Sequence, residues 1–201
     1  TYIYRNKCYS NNSWYNGNTM SSINVNTINE YTSANGVTID GVLIKDGVVA
    51  GKAVEADQYQ INSDITADAI PITTLVRPTG TLQNYPGTGM SQSSGTWTFP
   101  STGYYEIFIY GRIKPNSAGH SAYLSVQASD DNFSSSDQIL ALRVEVESGD
   151  RVNIAGKTIV KITDTSNDKV QIGFDEVTDA VLEGGSAEMV SGVIFTKLGE
   201  L

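Results

Sequence analysis

A catalytic histidine needs a nucleophile held against it and a third group to orient its ring, and this chain has one histidine to meet that need. His120 lies in the turn-like stretch NSAGHSA, between Gly119 and Ser121, and reads as a solvated loop residue. Cys8 is the only cysteine and has no histidine nearby, so thiol catalysis and a Cys/His zinc centre both lack the residues they require. Carboxylate chemistry is less constrained, because glycoside cleavage needs only two acids across a cleft and the chain holds 22 Asp and Glu. Most of these fall in turns (Asp130-Asp131, Asp164, Asp168, Asp175-Glu176) or alternate outwards on strand-like runs (Glu145, Glu147). That is the pattern of solvated charge, and we assign no catalytic residue and read the chain as no enzyme.

Two oxygen-rich turns, SDDN (129–132) and TDTSND (163–168), suggest calcium. Neither has the Gly or the closing Glu of a twelve-residue EF-hand loop. Weak calcium binding is the most they offer, and no cofactor is expected. GTG (87–89) and EGGS (183–186) lack the lysine and the following helix of a phosphate loop.

The elements that would position such groups are short. In NGVTIDGVLIKDG (35–47), Val37 and Ile39 alternate with Thr38, Val42 and Ile44 flank Leu43, and Gly36, Gly41 and Gly47 punctuate the run. Strands this short bury little apolar surface alone. Either several copies wind into a shared β-prism lined by Val37, Ile39, Val42 and Ile44, or Asp40-Gly41 and Asp46-Gly47 make ordinary hairpin turns. Residues 53–61 could form a helical turn or an extended connector, since periodicity does not decide.

Residues 1–30 are rich in Asn and Tyr, and up to residue 29 they carry Arg5 and Lys7 but no acid. They read as a loosely ordered tail or as a docking segment using Tyr2, Tyr4, Arg5, Lys7 and Trp14, the aromatics bringing large contact area with a polar handle. Residues 67–201 read as a string of short strands at 72–77, 96–99, 104–113, 121–127, 139–147, 151–155, 158–163, 169–174, 178–182 and 189–197, with prolines between them. The expected fold is all-β: a docking segment (1–30), a stalk and linker (31–66), and a jelly-roll β-sandwich head (67–201). In the head, Tyr104, Phe108 and Tyr110 share a strand face with Glu106, an aromatic patch suited to contact between copies.

The formal charge of −9 argues against sequence-independent nucleic-acid binding. No segment approaches the roughly 18 consecutive apolar residues of a membrane-spanning helix. The start, TYIYRNKCYSNN, lacks the apolar core of a signal peptide, so synthesis in a cytoplasm is expected.

Three segments carry a resemblance: TWTFPSTGYYEIFIYGRI (96–113), LRVEVESGDRVNI (142–154) and SGVIFTKLG (191–199). They resemble the tumour-necrosis-factor-like jelly roll shared with the globular head of the first complement component. The matching positions are Phe99, Pro100, Gly103, Tyr104 and Tyr105, then Gly149, Asp150 and Val152, then Ser191, Gly192, Ile194 and Phe195. About 35 residues separate the Gly-Asp step from the last strand, and KTIVKITDTSNDKVQIGF supplies extra strands there. A glycine-punctuated run followed by such a head is similar to virion structural proteins of tailed bacteriophages. That resemblance implies a homotrimer on the virion surface, as a capsid decoration or head fibre docked to the major capsid protein or another virion protein. A receptor-binding tail-fibre tip recognising a host-surface glycan, or a bacterial surface adhesin, are the alternatives.

Overall fold

The computed structural model describes residues 55–80, 85–115, 120–175, 179–185 and 189–201, together with three short strands between 37 and 50. Two compact units are present, Thr1–Gly51 and Lys52–Leu201. In the first, β1 (Val37–Ile39), β2 (Val42–Lys45) and β3 (Val48–Ala50) form an antiparallel sheet in that order. Val37 stands opposite Ile44 and Ile44 opposite Val49. The hairpin alternative accounts for this register, because the strands pair within one chain across two-residue connections at Asp-Gly. The backbone pairing therefore needs no second copy. The side chains of Val37, Ile39, Val42 and Ile44 lie outside the described residues.

The second unit is a sandwich of two antiparallel sheets. One runs β11 (Val152–Ile162), β8 (Gly103–Pro115), β14 (Gly192–Gly199), β4 (Ala56–Ile61) and β5 (Leu75–Val76), with β13 (Ala180–Leu182) also paired to β8. The other runs β10 (Asp137–Val146), β9 (His120–Ser129), β12 (Lys169–Asp175), β7 (Thr96–Thr98) and β6 (Ser91–Ser93). Strict alternation along β8 sets the layers: Tyr105, Ile107, Ile109 and Ile113 are buried, while Tyr104, Glu106, Phe108, Tyr110 and Arg112 face outwards.

Between the sheets lies an aromatic centre. Trp97 meets Tyr59 edge-on at 4.3 Å between ring centroids and Phe195 at 5.1 Å, and Phe99 meets Tyr105 at 4.7 Å and Phe195 at 6.1 Å. Each such pair adds about 0.5–1.5 kcal/mol beyond the area it buries. The phenol groups stay satisfied: Tyr59 donates to the Met90 carbonyl at 2.9 Å and Tyr105 to the Ser101 carbonyl at 3.0 Å.

The motif residues have local reasons. Gly103 adopts a φ of 141°, and a Cβ there would strike the carbonyl oxygen of Gly199. A Cβ on Gly192 would strike that of Tyr59. The hydroxyl of fully buried Ser191 accepts from the Arg112 N–H at 3.0 Å and donates to the Glu183 carbonyl, stitching β14 to β8.

Four sequence expectations change. Residues 56–61 are neither helical turn nor connector: they form β4, paired with β14 from Ala56–Thr196 to Gln60–Gly192, so the head includes residues that the expected boundary assigns to the linker. The runs 151–155 and 158–163 are one strand through Gly156, where a Cβ would meet a Leu142 methyl at 2.6 Å. Within 72–77 only Leu75–Val76 is strand. His120 opens β9 opposite Val146, and Asp175 closes β12; neither lies in a turn.

Candidate functional site

Three arrangements on the head hold polar or aromatic groups in fixed geometry. The first is the outward face of the β8 sheet. Phe108 and Tyr110, two residues apart and so on one face, stack at 5.9 Å with 26° between their planes. Tyr104 is 40% exposed on the same row. Ile159 of β11 is 59% exposed and stands opposite Glu106, and half-buried Ile194 of β14 stands opposite Phe108. Burial raises the Tyr110 phenol above its ordinary pKa. Glu106, the acid in this aromatic row, is paired at 2.7 Å with Lys157 from the neighbouring strand. The three head residues expected to meet between copies are thus gathered on one face. The docking set Tyr2, Tyr4, Arg5, Lys7 and Trp14 lies outside the described residues.

The second arrangement fastens the first strand of the head. The Asp57 carboxylate is fully buried and accepts from Arg77 Nη2 at 2.7 Å and from the Met90 N–H at 2.7 Å. The Arg77 guanidinium lies over the rings of Tyr85 at 4.3 Å and Tyr59 at 5.0 Å. Burial, and then the charge of Asp57, push the Tyr59 phenol well above its ordinary value.

The glycine-rich stretches serve carboxylates of the chain itself. Gly87 and Gly89 adopt φ of 82° and 76°, and the N–H groups of Thr88 and Gly89 donate to Glu55 Oε2 at 2.9 and 3.2 Å. The Gly184 N–H donates to Asp64 Oδ1 at 3.0 Å. Beside it, Glu183 draws Arg112, Lys114 and Arg151 together, the last two at 3.2 Å. Burial alone would raise the Glu183 carboxyl; the hydrogen bonds from these three cations outweigh it and hold it below its ordinary value.

The third arrangement is a groove of about 360 Å³ between the loop joining β9 to β10 and the free edge of β11. Both oxygen-rich turns border it, tied together by the Asn132 N–H donating to the Asn167 carbonyl at 3.0 Å. Their carboxylates are largely committed. Asp131 accepts from the Ser135 N–H and hydroxyl and from the Ser129 hydroxyl, Asp164 from the Ser166 N–H, and Asp168 from the Thr163 and Asp164 N–H groups. Among the described residues no three His, Cys, Asp or Glu side chains converge as a metal site.

No protein-family model matches the chain. No curated protein matches it in sequence. Solved structures do. Murine APRIL, crystallised at pH 5.0, superposes with a TM-score of 0.55 over 72% of this chain and 99% of its own, at 10% identity. Eiger TNF from S. frugiperda superposes with a TM-score of 0.52 over 75% of this chain and 96% of its own, also at 10% identity. Likeness at such low identity concerns backbone architecture: this chain carries a TNF-like jelly roll.

Proposed function

We propose that this protein is a non-catalytic structural module that assembles as a homotrimer and is displayed on the outside of a tailed-phage particle, as a capsid decoration or head fibre. One observation carries the self-association: Tyr104, Phe108 and Tyr110 line the outward face of β8, with Ile159 and Ile194 beside them. Apolar surface of this kind gains about 25 cal/mol per Å² when removed from water. A second copy bringing its own apolar surface would supply that cover. The acid-free start of the chain, with Arg5 and Lys7 among tyrosines, supports a separate docking role for residues 1–30.

The assembly is tested by mass. A trimer of 21.6 kDa chains weighs 3 × 21.6, about 65 kDa. Light scattering on the full chain should give that value, and Phe108→Glu with Tyr110→Glu should lower it to one chain. Display is tested by imaging particles made with and without the protein. Density on the capsid lattice that vanishes on deletion supports decoration; loss from a tail tip, or no loss at all, refutes it.

A further inference from the structure

We propose that the aromatic face of the β8 sheet is covered by an acid-rimmed surface of a second copy, and that opposite charge selects a ring of copies over a face-to-face pair. This rests on the self-association proposed above and names the kind of surface that answers it.

The face carries charge of the opposite sign to the chain. Lys157 and Lys161 stand outward on β11, Arg112 and Lys114 outward on β8, and Arg151 immediately precedes β11. The acids bonded to these cations are Glu106, Asp64 and Glu183. Five positive and three negative charges leave +2. The whole chain has 13 Lys and Arg and 22 Asp and Glu, so the remaining 8 cations and 19 anions leave −11 everywhere else. The cations rim the stacked Phe108 and Tyr110, with Lys157 opposite Phe108 and Lys161 opposite Tyr104.

That polarity discriminates between modes of assembly. A twofold pair sets one patch on itself, which here places positive charge on positive charge around the apolar centre. A heterologous contact sets the face against a different surface of the neighbour, and the rest of the neighbour is acidic. Charges at the rim of a contact act over about 10 Å at 0.1 M salt, and added salt screens them. Burial of apolar surface is not weakened in this way, and salting-out ions strengthen it. Salt therefore separates a contact between opposite charges from a purely apolar one.

The test follows the mass of the full-length chain by analytical ultracentrifugation over a dilution series at about 0.05 M and about 0.5 M NaCl. The expected species is a trimer of about 65 kDa whose dissociation constant rises about tenfold or more at the higher salt. Lys157→Glu with Lys161→Glu, both at exposed positions, turns the face to −2. It should weaken assembly about tenfold or more at low salt, with a smaller loss at high salt and an unchanged circular dichroism spectrum. Lys157→Gln with Lys161→Gln should fall between. A trimer indifferent to salt and to both variants, or one tightened by salt, would overturn this inference and leave the trimer standing. A twofold pair of about 43 kDa, twice the chain mass, would overturn it as well. One chain at every salt would overturn the assembly and the surface assigned to it together.

Discussion

On the outward face of the β10-β9-β12-β7-β6 sheet, polar side chains answer one another. Gln171 Nε2 donates to Thr96 Oγ1 at 2.8 Å, Lys169 Nζ to Thr98 Oγ1 at 3.0 Å, and Arg143 lies 5.5 Å from the centre of the Tyr123 ring. On the outward face of the β8 sheet, Phe108 and Tyr110 stack on each other and Ile159 stands in the open. The two faces share one core and one alternation. The polar face is satisfied by its own hydrogen bonds, whereas the aromatic face gains free energy only when further surface covers it. That difference is what supports placing the proposed contact between copies on the aromatic face.

Trp97 sits beneath both faces, between Thr96 and Thr98 on its strand and against Tyr59 and Phe195 across the core. Trp97→Ala should therefore break the comparison altogether, costing about 3–5 kcal/mol in urea unfolding and collapsing both faces in one transition. Asp57→Ala should cost about 3 kcal/mol, because it leaves the Arg77 guanidinium and the Met90 N–H without their shared acceptor. Its melting curve should stay cooperative, since the aromatic core remains.

Acid separates the two sheets more gently. Hydrogen bonds from Lys114 and from Gly184 hold the Asp64 carboxyl below its ordinary 3.8, and Glu183 lies below its ordinary 4.5. A depressed folded value means that the unfolded chain takes up the proton first. Their stabilisation is therefore complete above about pH 4.5 and is lost as pH falls through the folded values. Urea midpoints measured from pH 7 to pH 3 should fall in that acid range, and Glu183→Gln should flatten the fall. The smallest effect belongs to Lys157→Ala. Lys157 is largely exposed, so its pair with Glu106 should contribute within about 0.5 kcal/mol to the folding of one chain.

The jelly roll was legible where burial followed residue type. YYEIFIYGRI reads as a two-faced strand and is one, and its outward aromatics are where alternation places them. Strand β4 was hidden because its buried positions include Asp57 and Gln60, whose polar residue types read as solvent-facing. Only the remote Arg77 and Met90 explain why Asp57 can be inside. Gly156 looked like a break, and its reason, Leu142 packed over the missing side chain, comes from another strand. The groove was half visible: the two Asp-rich turns stood out in sequence, but their adjacency depends on the Asn132–Asn167 bond.

The contrast between the faces is tested most directly by the mass of paired variants in light scattering. The unaltered chain and Thr96→Glu with Gln171→Glu, on the polar face, should both measure about 65 kDa, while Phe108→Glu with Tyr110→Glu should measure 21.6 kDa with its fold intact by circular dichroism. A 21.6 kDa species from the unaltered chain at micromolar concentration, or a trimer indifferent to the aromatic-face substitutions, would contradict the account.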